Sequence, residues 1–416
     1  MEYGLIGARL GHSYSKIIHE MLYGGPYELH ALPTEAEARA FLAEKSFRAI
    51  NVTIPYKQLV MEYCDEIDPM AKEIGAVNTV VNRGGKLYGY NTDAGGFAYL
   101  AAAHSVDFKD KTVLVLGTGA THCTVSYVAR HKGAASVLTA SRHPDAAKGE
   151  LSYEQAAESG AQIVINATPA GMYPNAGVCH LDIAAMAKRG LEAVLDVVYN
   201  PFKTELLLRA EENGVAFACG FEMLVAQAVY AAEYFLDRKF QSGEIEQISR
   251  TLKEQLCTVS LIGMPSSGKT TLGAALAKQL NKPFVDLDAE IERAAGKSIP
   301  AIFSEEGESG FRRRETEAVK TFCEKGRYVI SCGGGVVKTP GNVRLLRQNG
   351  GILWVQRPLA KLQTGGNRPL SKDMAALAAM EAQRTPLYAA AADAIIHNDS
   401  SESAAIAAAE SAFHEI

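Results

Sequence analysis

Short apolar runs recur along the first half of the chain: Ala49-Ile-Asn-Val-Thr, Thr112-Val-Leu-Val-Leu, Ala135-Ser-Val-Leu-Thr, Gln162-Ile-Val-Ile and Ala193-Val-Leu-Asp-Val-Val. Between them lie longer stretches whose apolar residues return at helical spacing. Runs without polar alternation suit strands buried on both faces, so the pattern predicts parallel α/β layers. A second such series starts near Cys257. In the polar segment 237–256, Ile245, Ile248, Leu252 and Leu256 share one helical face, which predicts a helical connector packed on a neighbouring domain. The Ala-rich end from Ser401 to Ile416 predicts a terminal helix.

Gly263-Met-Pro-Ser-Ser-Gly268-Lys269-Thr270 follows the apolar Val259-Ser-Leu-Ile and precedes Leu272, Ala275, Leu276 and Leu280 at helical spacing. This order predicts strand, phosphate-binding loop and helix. Glycines let backbone N–H groups turn toward an anion, the helix start adds positive charge, and Lys269 and Thr270 reach phosphate and Mg²⁺. Gly263, Ser266, Ser267, Gly268, Lys269, Thr270 and Thr271 are therefore the expected ATP contacts.

Composition narrows the partners. A chain of 416 residues with 47% apolar content fits two or three cores. Its net charge of −5 and the absence of any basic run longer than Arg312-Arg-Arg314 argue against nucleic acid or anionic membranes and for small metabolites. No secretory or membrane-length apolar segment is present, so a cytoplasmic protein is expected. Seven scattered cysteines without a CxxC arrangement and ten histidines without ligand spacing suggest reduced thiols and no structural metal.

Thr112–Leu116 runs into Gly117-Thr118-Gly119-Ala120, the strand, turn and helix start of a dinucleotide fold; its third small position is occupied by His122. Where an acid about twenty residues on would hold the ribose of NAD, Ser141-Arg142 stands instead, and a guanidinium there fits the 2′-phosphate of NADP.

Further motifs stand in order: Gly11-His-Ser13-Tyr-Ser15, Asn51-Val-Thr53-Ile-Pro-Tyr-Lys57, Gly75-Ala-Val-Asn78, Gly89-Tyr-Asn-Thr-Asp93-Ala-Gly-Gly, Asn166-Ala-Thr168-Pro-Ala-Gly-Met172, Asp196-Val-Val-Tyr199 and Gly220-Phe-Glu-Met-Leu-Val-Ala-Gln227. Together they resemble shikimate dehydrogenases. The resemblance implies Lys57 and Asp93 as the catalytic pair. It implies Ser13, Ser15, Asn51, Thr53, Asn78, Asp93 and Gln227 around the ring hydroxyls and carboxylate of 3-dehydroshikimate, with Tyr199 near both ligands. Gly117, Thr118, Gly119, Ala120, Ser141, Arg142, Thr168, Met172 and Gly220 would bind NADP(H). The chain departs from the family's pattern at Lys16 and Glu20.

In the second half, Asp286-Leu-Asp288 follows the strand-like Pro283-Phe-Val, and alternation along an extended segment would put both carboxylates on one side. Glu308-Ser-Gly-Phe311-Arg312, Gly333-Gly334-Gly335, Asn367-Arg368-Pro-Leu and Arg384-Thr-Pro-Leu-Tyr388 come next. This set resembles shikimate kinases. The resemblance implies that Asp286 helps hold Mg²⁺ with Thr270 and that Asp288 orients the acceptor hydroxyl. Arg312 and Arg384 would clamp the shikimate carboxylate, Gly334 and Gly335 would approach its ring, and Arg368 would close onto the nucleotide and the transferred phosphate.

The expected architecture is thus an α/β substrate domain over 1–100, an NADP-binding Rossmann domain over 101–236 whose last helix returns to the substrate domain, a helical connector over 237–256, and a P-loop α/β domain of the nucleoside-monophosphate-kinase type over 257–416. Two resemblances that meet at one metabolite suggest a bifunctional shikimate-pathway enzyme. Two alternatives remain at this level: a non-catalytic sensor of the pathway, and a quinate/shikimate dehydrogenase fused to the kinase. The oligomeric state is not legible.

Overall fold

The computed structural model describes residues 1–11, 13–241, 243–363 and 373–415, and it divides into two units, Met1–Thr251 and Leu252–Ile416. In the first unit, one sheet is built from β1 (Tyr3–Gly7), β2 (Glu28–Ala31), β3 (Ala49–Val52), β4 (Glu66–Ile67), β5 (Thr79–Arg83) and β6 (Lys86–Tyr90), in the order β2-β1-β3-β5-β6-β4. The parallel expectation fails here, because β5 runs antiparallel to both β3 and β6. The cause is local: Gly84 and Gly85, at φ 62° and 87°, close a two-residue hairpin in the left-handed region that glycine enters without strain.

A second sheet of the same unit is fully parallel and contains four of the five apolar runs. Its strands are β7 (Thr112–Leu116), β8 (Ser136–Ala140), β9 (Ile163–Asn166), β10 (Ala193–Asp196) and β11 (Ala216–Cys219), in the order β11-β10-β9-β7-β8. One face buries Val113, Val115, Ile163, Ile165 and Leu195, the other Leu114, Leu116, Val164 and Val194. The strand order reverses between β7 and β9, so a crevice opens at their carboxyl ends, the usual place for a ligand.

Two helices join the sheets. Thr92–Ala103 contributes Phe97, Leu100 and Ala101 to the core beneath the second sheet, so the expected boundary after residue 100 cuts through a helix. Phe221–Leu236 packs on Thr92–Ala103 and on Ser15–Tyr23. Their close approach depends on Gly95 and Gly96: a Cβ would come within 2.9 Å of the Tyr230 ring and 2.7 Å of the Met223 carbonyl.

The connector is helical over Glu244–Leu256, a shorter span than the expected 237–256. The compact units part inside it, at Thr251/Leu252, rather than after Leu256. Lys282 Nζ donates to the carbonyls of Glu254, Gln255 and Cys257, and so ties the last turn into the second unit. Partial burial lowers the Lys282 ammonium to about 8.

The second unit carries β12 (Thr258–Ile262), β13 (Phe284–Asp286), β14 (Val329–Ser331), β15 (Gly350–Gln356) and β16 (Ala394–His397), all parallel, in the order β13-β14-β12-β15-β16. The helical run Ile299–Lys325 breaks at Gly307, whose φ of 69° sets a new helix direction just before Glu308. The terminal helix spans Glu402–Glu415.

Candidate active sites

Lys57 follows β3 by a short turn, and Asp93 lies in the first turn of the helix Thr92–Ala103. The fold brings them together: Lys57 Nζ donates to Asp93 Oδ2 at 2.6 Å, with the side chains only 13% and 12% exposed. Asn91 caps that helix by accepting from Ala94 N–H, which fixes the direction in which Asp93 leaves it.

A polar network reaches Thr92, next to Asp93. Asn78 Oδ1 accepts from Thr92 N–H at 2.7 Å while its Nδ2 donates to Thr92 Oγ1. Asn51 Oδ1 accepts from the Tyr27 hydroxyl at 2.7 Å, and its Nδ2 donates to the Asn78 carbonyl and Thr79 Oγ1. Tyr27 was invisible in the sequence; it is buried under His19, whose ring stacks on it at 4.2 Å. Ser13 Oγ accepts from Ser15 N–H, and Thr53 N–H continues the sheet onto the Ile6 carbonyl. Gln227 donates to the Leu224 carbonyl from the returning helix, and its Cβ lies 3.0 Å from where a Cβ on Gly96 would be. The Tyr199 ring lies 5.7 Å from that of Tyr14, and burial pushes its phenol up to about 12.

The dinucleotide turn follows β7. Gly117 has φ 98°, and a Cβ there would come within 2.8 Å of the Thr168 methyl, so the turn and the loop after β9 interlock. Thr118 and Gly119 are exposed, and Gly119 and Ala120 open the helix Ala120–His131. His122 does not prevent close packing: it reaches sideways to Thr139 of β8, with Nε2 2.9 Å from Oγ1. Ser141 donates to Glu150, and Arg142 is exposed to solvent. Met172, in the loop after β9, is 45% exposed, an unusual place for a large apolar side chain. Gly220 passes so close to the Val197 carbonyl that any side chain would collide. An exposed glycine turn, a helix start, a solvent-facing guanidinium and a bare Met172 fit a phosphorylated dinucleotide.

In the second unit a cavity of about 370 Å³ is lined by Ser266, Gly268, Lys269, Thr270, Thr271, Asp286, Asp288, Arg312, Gly334, Gly335 and Arg384. Gly263 and Ser267 shape the loop from behind: Gly263 has φ 144°, and Ser267 is fully buried. Lys269 Nζ donates to the carbonyls of Gly263 and Met264 at 3.0 and 2.8 Å, folding the loop round itself. Thr270 Oγ1 donates to Asp286 Oδ2 at 2.7 Å. One hydroxyl and one carboxylate side by side suit Mg²⁺, which keeps several of its waters.

Asp286 and Asp288 do not alternate along one strand as the sequence suggested. Strand β13 ends at Asp286, which caps the helix Leu287–Ala295 by accepting from Asp288 and Ala289 N–H; Asp288 lies in that helix's first turn. A carboxylate followed by good helix formers stabilises the helix start more than continued strand. Both acids nevertheless line the cavity.

The glycine triplet explains itself only in three dimensions. A Cβ on Gly333 would meet Asp288 Oδ1 at 2.7 Å, one on Gly334 would meet Pro265 Cδ at 3.0 Å, and one on Gly335 would collide with the Arg312 guanidinium. Arg384, 4% exposed, donates through Nη1 to the Gly334 carbonyl at 2.8 Å, while its Nε has no acceptor among the described residues. The Tyr388 hydroxyl donates to the same carbonyl. Two residues of this unit have no motif that announces them. Glu315 is fully buried, holds Arg312 Nη1 at 2.8 Å, and has its carboxyl raised by burial against the pull of Arg312. Its spacing of three from Arg312 was the available signal. Asn398, just beyond β16, donates to the Ser267 carbonyl and has no local signature. Asn367 and Arg368 lie outside the described residues.

An interlocked dinucleotide turn in the same unit as a lysine–carboxylate pair, and a P-loop cavity lined by two arginines in the other, define an oxidoreductase unit joined to a phosphotransferase unit. Residues 5–80 match the shikimate dehydrogenase substrate binding domain and residues 265–413 match shikimate kinase. The chain belongs to the shikimate dehydrogenase family, and the same chain carries a shikimate kinase domain. It is 36% identical over 260 residues to the shikimate dehydrogenase (NADP(+)) of Clostridium beijerinckii, covering 58% of this chain and 95% of that protein. Among solved structures it is similar to a chorismate mutase/shikimate 5-dehydrogenase fusion protein from Clostridium acetobutylicum, at 33% identity and TM-score 0.56 over 61% of this chain and 96% of the other. It is also similar to shikimate 5-dehydrogenase from Thermus thermophilus in complex with NADP(H) and shikimate, at 30% identity and TM-score 0.53 over 60% of this chain and 99% of the other.

Proposed function

We propose that this chain is a bifunctional enzyme that reduces 3-dehydroshikimate to shikimate with NADPH and then phosphorylates the 3-hydroxyl of shikimate with MgATP. The observation that carries this reading is the presence, on one chain, of a desolvated Lys57–Asp93 pair and a P-loop cavity lined by Arg312 and Arg384. The first arrangement suits proton delivery to a ketone, the second a carboxylate on an acceptor of phosphate.

In the reductase, NADPH supplies the hydride. Lys57 would donate a proton to the ketone oxygen, with Asp93 orienting its ammonium. Ser13, Ser15, Asn51, Thr53, Asn78 and Gln227 would bind the substrate's hydroxyls and carboxylate, and Tyr199 would close the site on the dinucleotide side. Arg142 would hold the 2′-phosphate; Arg142→Asp is expected to weaken NADPH about tenfold or more and leave NADH little changed. Unchanged cofactor preference in initial-rate measurements would remove that role.

In the kinase, Mg²⁺ would be held by Thr270 and Asp286 and would offset phosphate charge. Lys269 would turn from the loop carbonyls to the phosphates, Asp288 would accept the hydrogen bond of the attacking hydroxyl, and Arg312 and Arg384 would grip the carboxylate. Losing one fork of such a clamp is worth about 2–3 kcal/mol, so Arg384→Ala should raise the shikimate KM on the order of 50-fold with little change in that for ATP. Equal effects on both substrates would overturn the clamp.

No helix among the described residues is long and apolar enough to cross a membrane. The proposal places the protein in the cytoplasm, with small molecules as its partners. Incubating the purified chain with 3-dehydroshikimate, NADPH and MgATP tests it directly: shikimate 3-phosphate detected by mass supports both halves, shikimate alone removes the kinase, and no turnover favours a sensor.

A further inference from the structure

Asp196 ends β10 at 0% exposure, yet neutral groups alone hold its carboxylate among the described residues. Asn166 Nδ2 donates to Oδ1 at 2.9 Å, Val198 N–H to Oδ1 at 2.9 Å, and the Thr204 hydroxyl to Oδ2 at 2.6 Å. Burying a carboxylate without a cation is costly, and it persists only where several donors replace its water.

Those donors lead to the dinucleotide loops. Asn166 also donates to the Ala170 carbonyl at 3.2 Å and accepts from Thr168 N–H and Oγ1 at 3.1 and 2.6 Å. Thr168 Oγ1 accepts in turn from Ala170 N–H, and its methyl sits against Gly117. Thr204 faces Gly171, where a Cβ would come within 2.9 Å of it. One carboxylate therefore ties the loop after β9 to the segment after β10, and through Thr168 to the turn after β7.

We propose that Asp196 is a positioning residue of the reductase: its ionised carboxylate, acting through Asn166 and Thr204, sets the loop from Ala167 to Met172 under the nicotinamide end of the dinucleotide, and its protonation releases that loop. The inference rests on the NADPH-dependent reading above.

The pH sense follows from the donors. Asn166 Nδ2 and Val198 N–H can only donate, and if the Thr204 hydroxyl turned to accept, its own proton would lose its acceptor. A proton added to Asp196 thus either breaks a link or leaves the buried Thr204 hydroxyl proton without its acceptor. Burial pushes this carboxyl up to about 7, so the proton is taken up as pH falls through neutrality and the ordered loop belongs to the alkaline side. The Cys179 thiol, raised chiefly by burial, feels the charge of Asp196 and also those of Glu205 and Arg209, which are paired with each other at 2.9 Å.

The test titrates the full chain with NADPH, followed by its fluorescence, and with 2′-phospho-ADP-ribose, which lacks nicotinamide. Asp196→Asn should weaken NADPH about tenfold on the alkaline side while leaving 2′-phospho-ADP-ribose unchanged, and wild type should converge on the variant as pH falls. Thr204→Val should behave like Asp196→Asn, and Thr204→Ser like wild type. NADPH affinity equal to wild type, or equal weakening of both ligands, overturns the inference. Because binding is read without turnover, a wild type that binds NADPH but does not reduce 3-dehydroshikimate would sink the functional reading and still decide this one.

Discussion

Lys57→Ala should abolish ketone reduction, lowering kcat on the order of 10³-fold, within the range that a positioned general acid contributes. The geometry makes this loss specific. Lys57 Nζ is 2.6 Å from Asp93, both side chains are nearly out of solvent, and the other polar groups near the pair are largely committed to one another. Water could replace the lost proton donor only in a site opened to solvent. The substitution also leaves Asp93 without its cation, and breaking a buried pair of this kind costs about 3–5 kcal/mol. Lys57→Met also removes the cation but keeps the apolar stem, so it shows how much of the stability loss comes from packing: both variants should lose reduction, and the alanine variant should show the larger fall in thermal stability. Shikimate phosphorylation measured on the same samples should stay at the wild-type rate. Reduction within tenfold of wild type would remove Lys57 from the chemistry, and parallel loss of kinase activity would show that the two units do not act independently.

Lys269→Ala should lower the kinase kcat on the order of 10³-fold, because phosphoryl transfer rests on placement and positive charge rather than on covalent help from the protein. This lysine has a second duty in the structure. Its ammonium holds the carbonyls of Gly263 and Met264, and the loop is braced from the other side by Asn398 on the Ser267 carbonyl. Alanine therefore removes charge at the phosphates and also one of these braces. Asn398→Ala removes only a brace, so it should raise the ATP KM while sparing kcat. If Lys269→Ala changed only the ATP KM, the residue would be a loop support and not a phosphate ligand.

The P-loop, the Gly117–Ala120 turn and the Gly84-Gly85 hairpin are set by neighbours a few positions away, and the first two can be placed from the order of residues alone. The connector's apolar face is legible too, but not where it ends, because Lys282 caps it from 25 to 28 residues along the chain. The Asp286-Leu-Asp288 segment misleads, since a period of two and a helix cap look alike over so few residues.

By itself, the sequence determined the chemical inventory: which loops can cradle phosphate, which lysines and carboxylates are available, and which two families the ordered motifs resemble. Local backbone preferences and residue chemistry suffice for that. Only the tertiary structure decided which groups meet. It brought Lys57 to Asp93 across 36 residues, pressed Gly333 against Asp288 and Gly335 against Arg312, placed Tyr27 behind Asn51, and buried Asp196 among three neutral donors. These relations depend on burial and on the absence of side-chain volume at a contact, and both are properties of what faces a residue across the fold rather than of its neighbours along the chain.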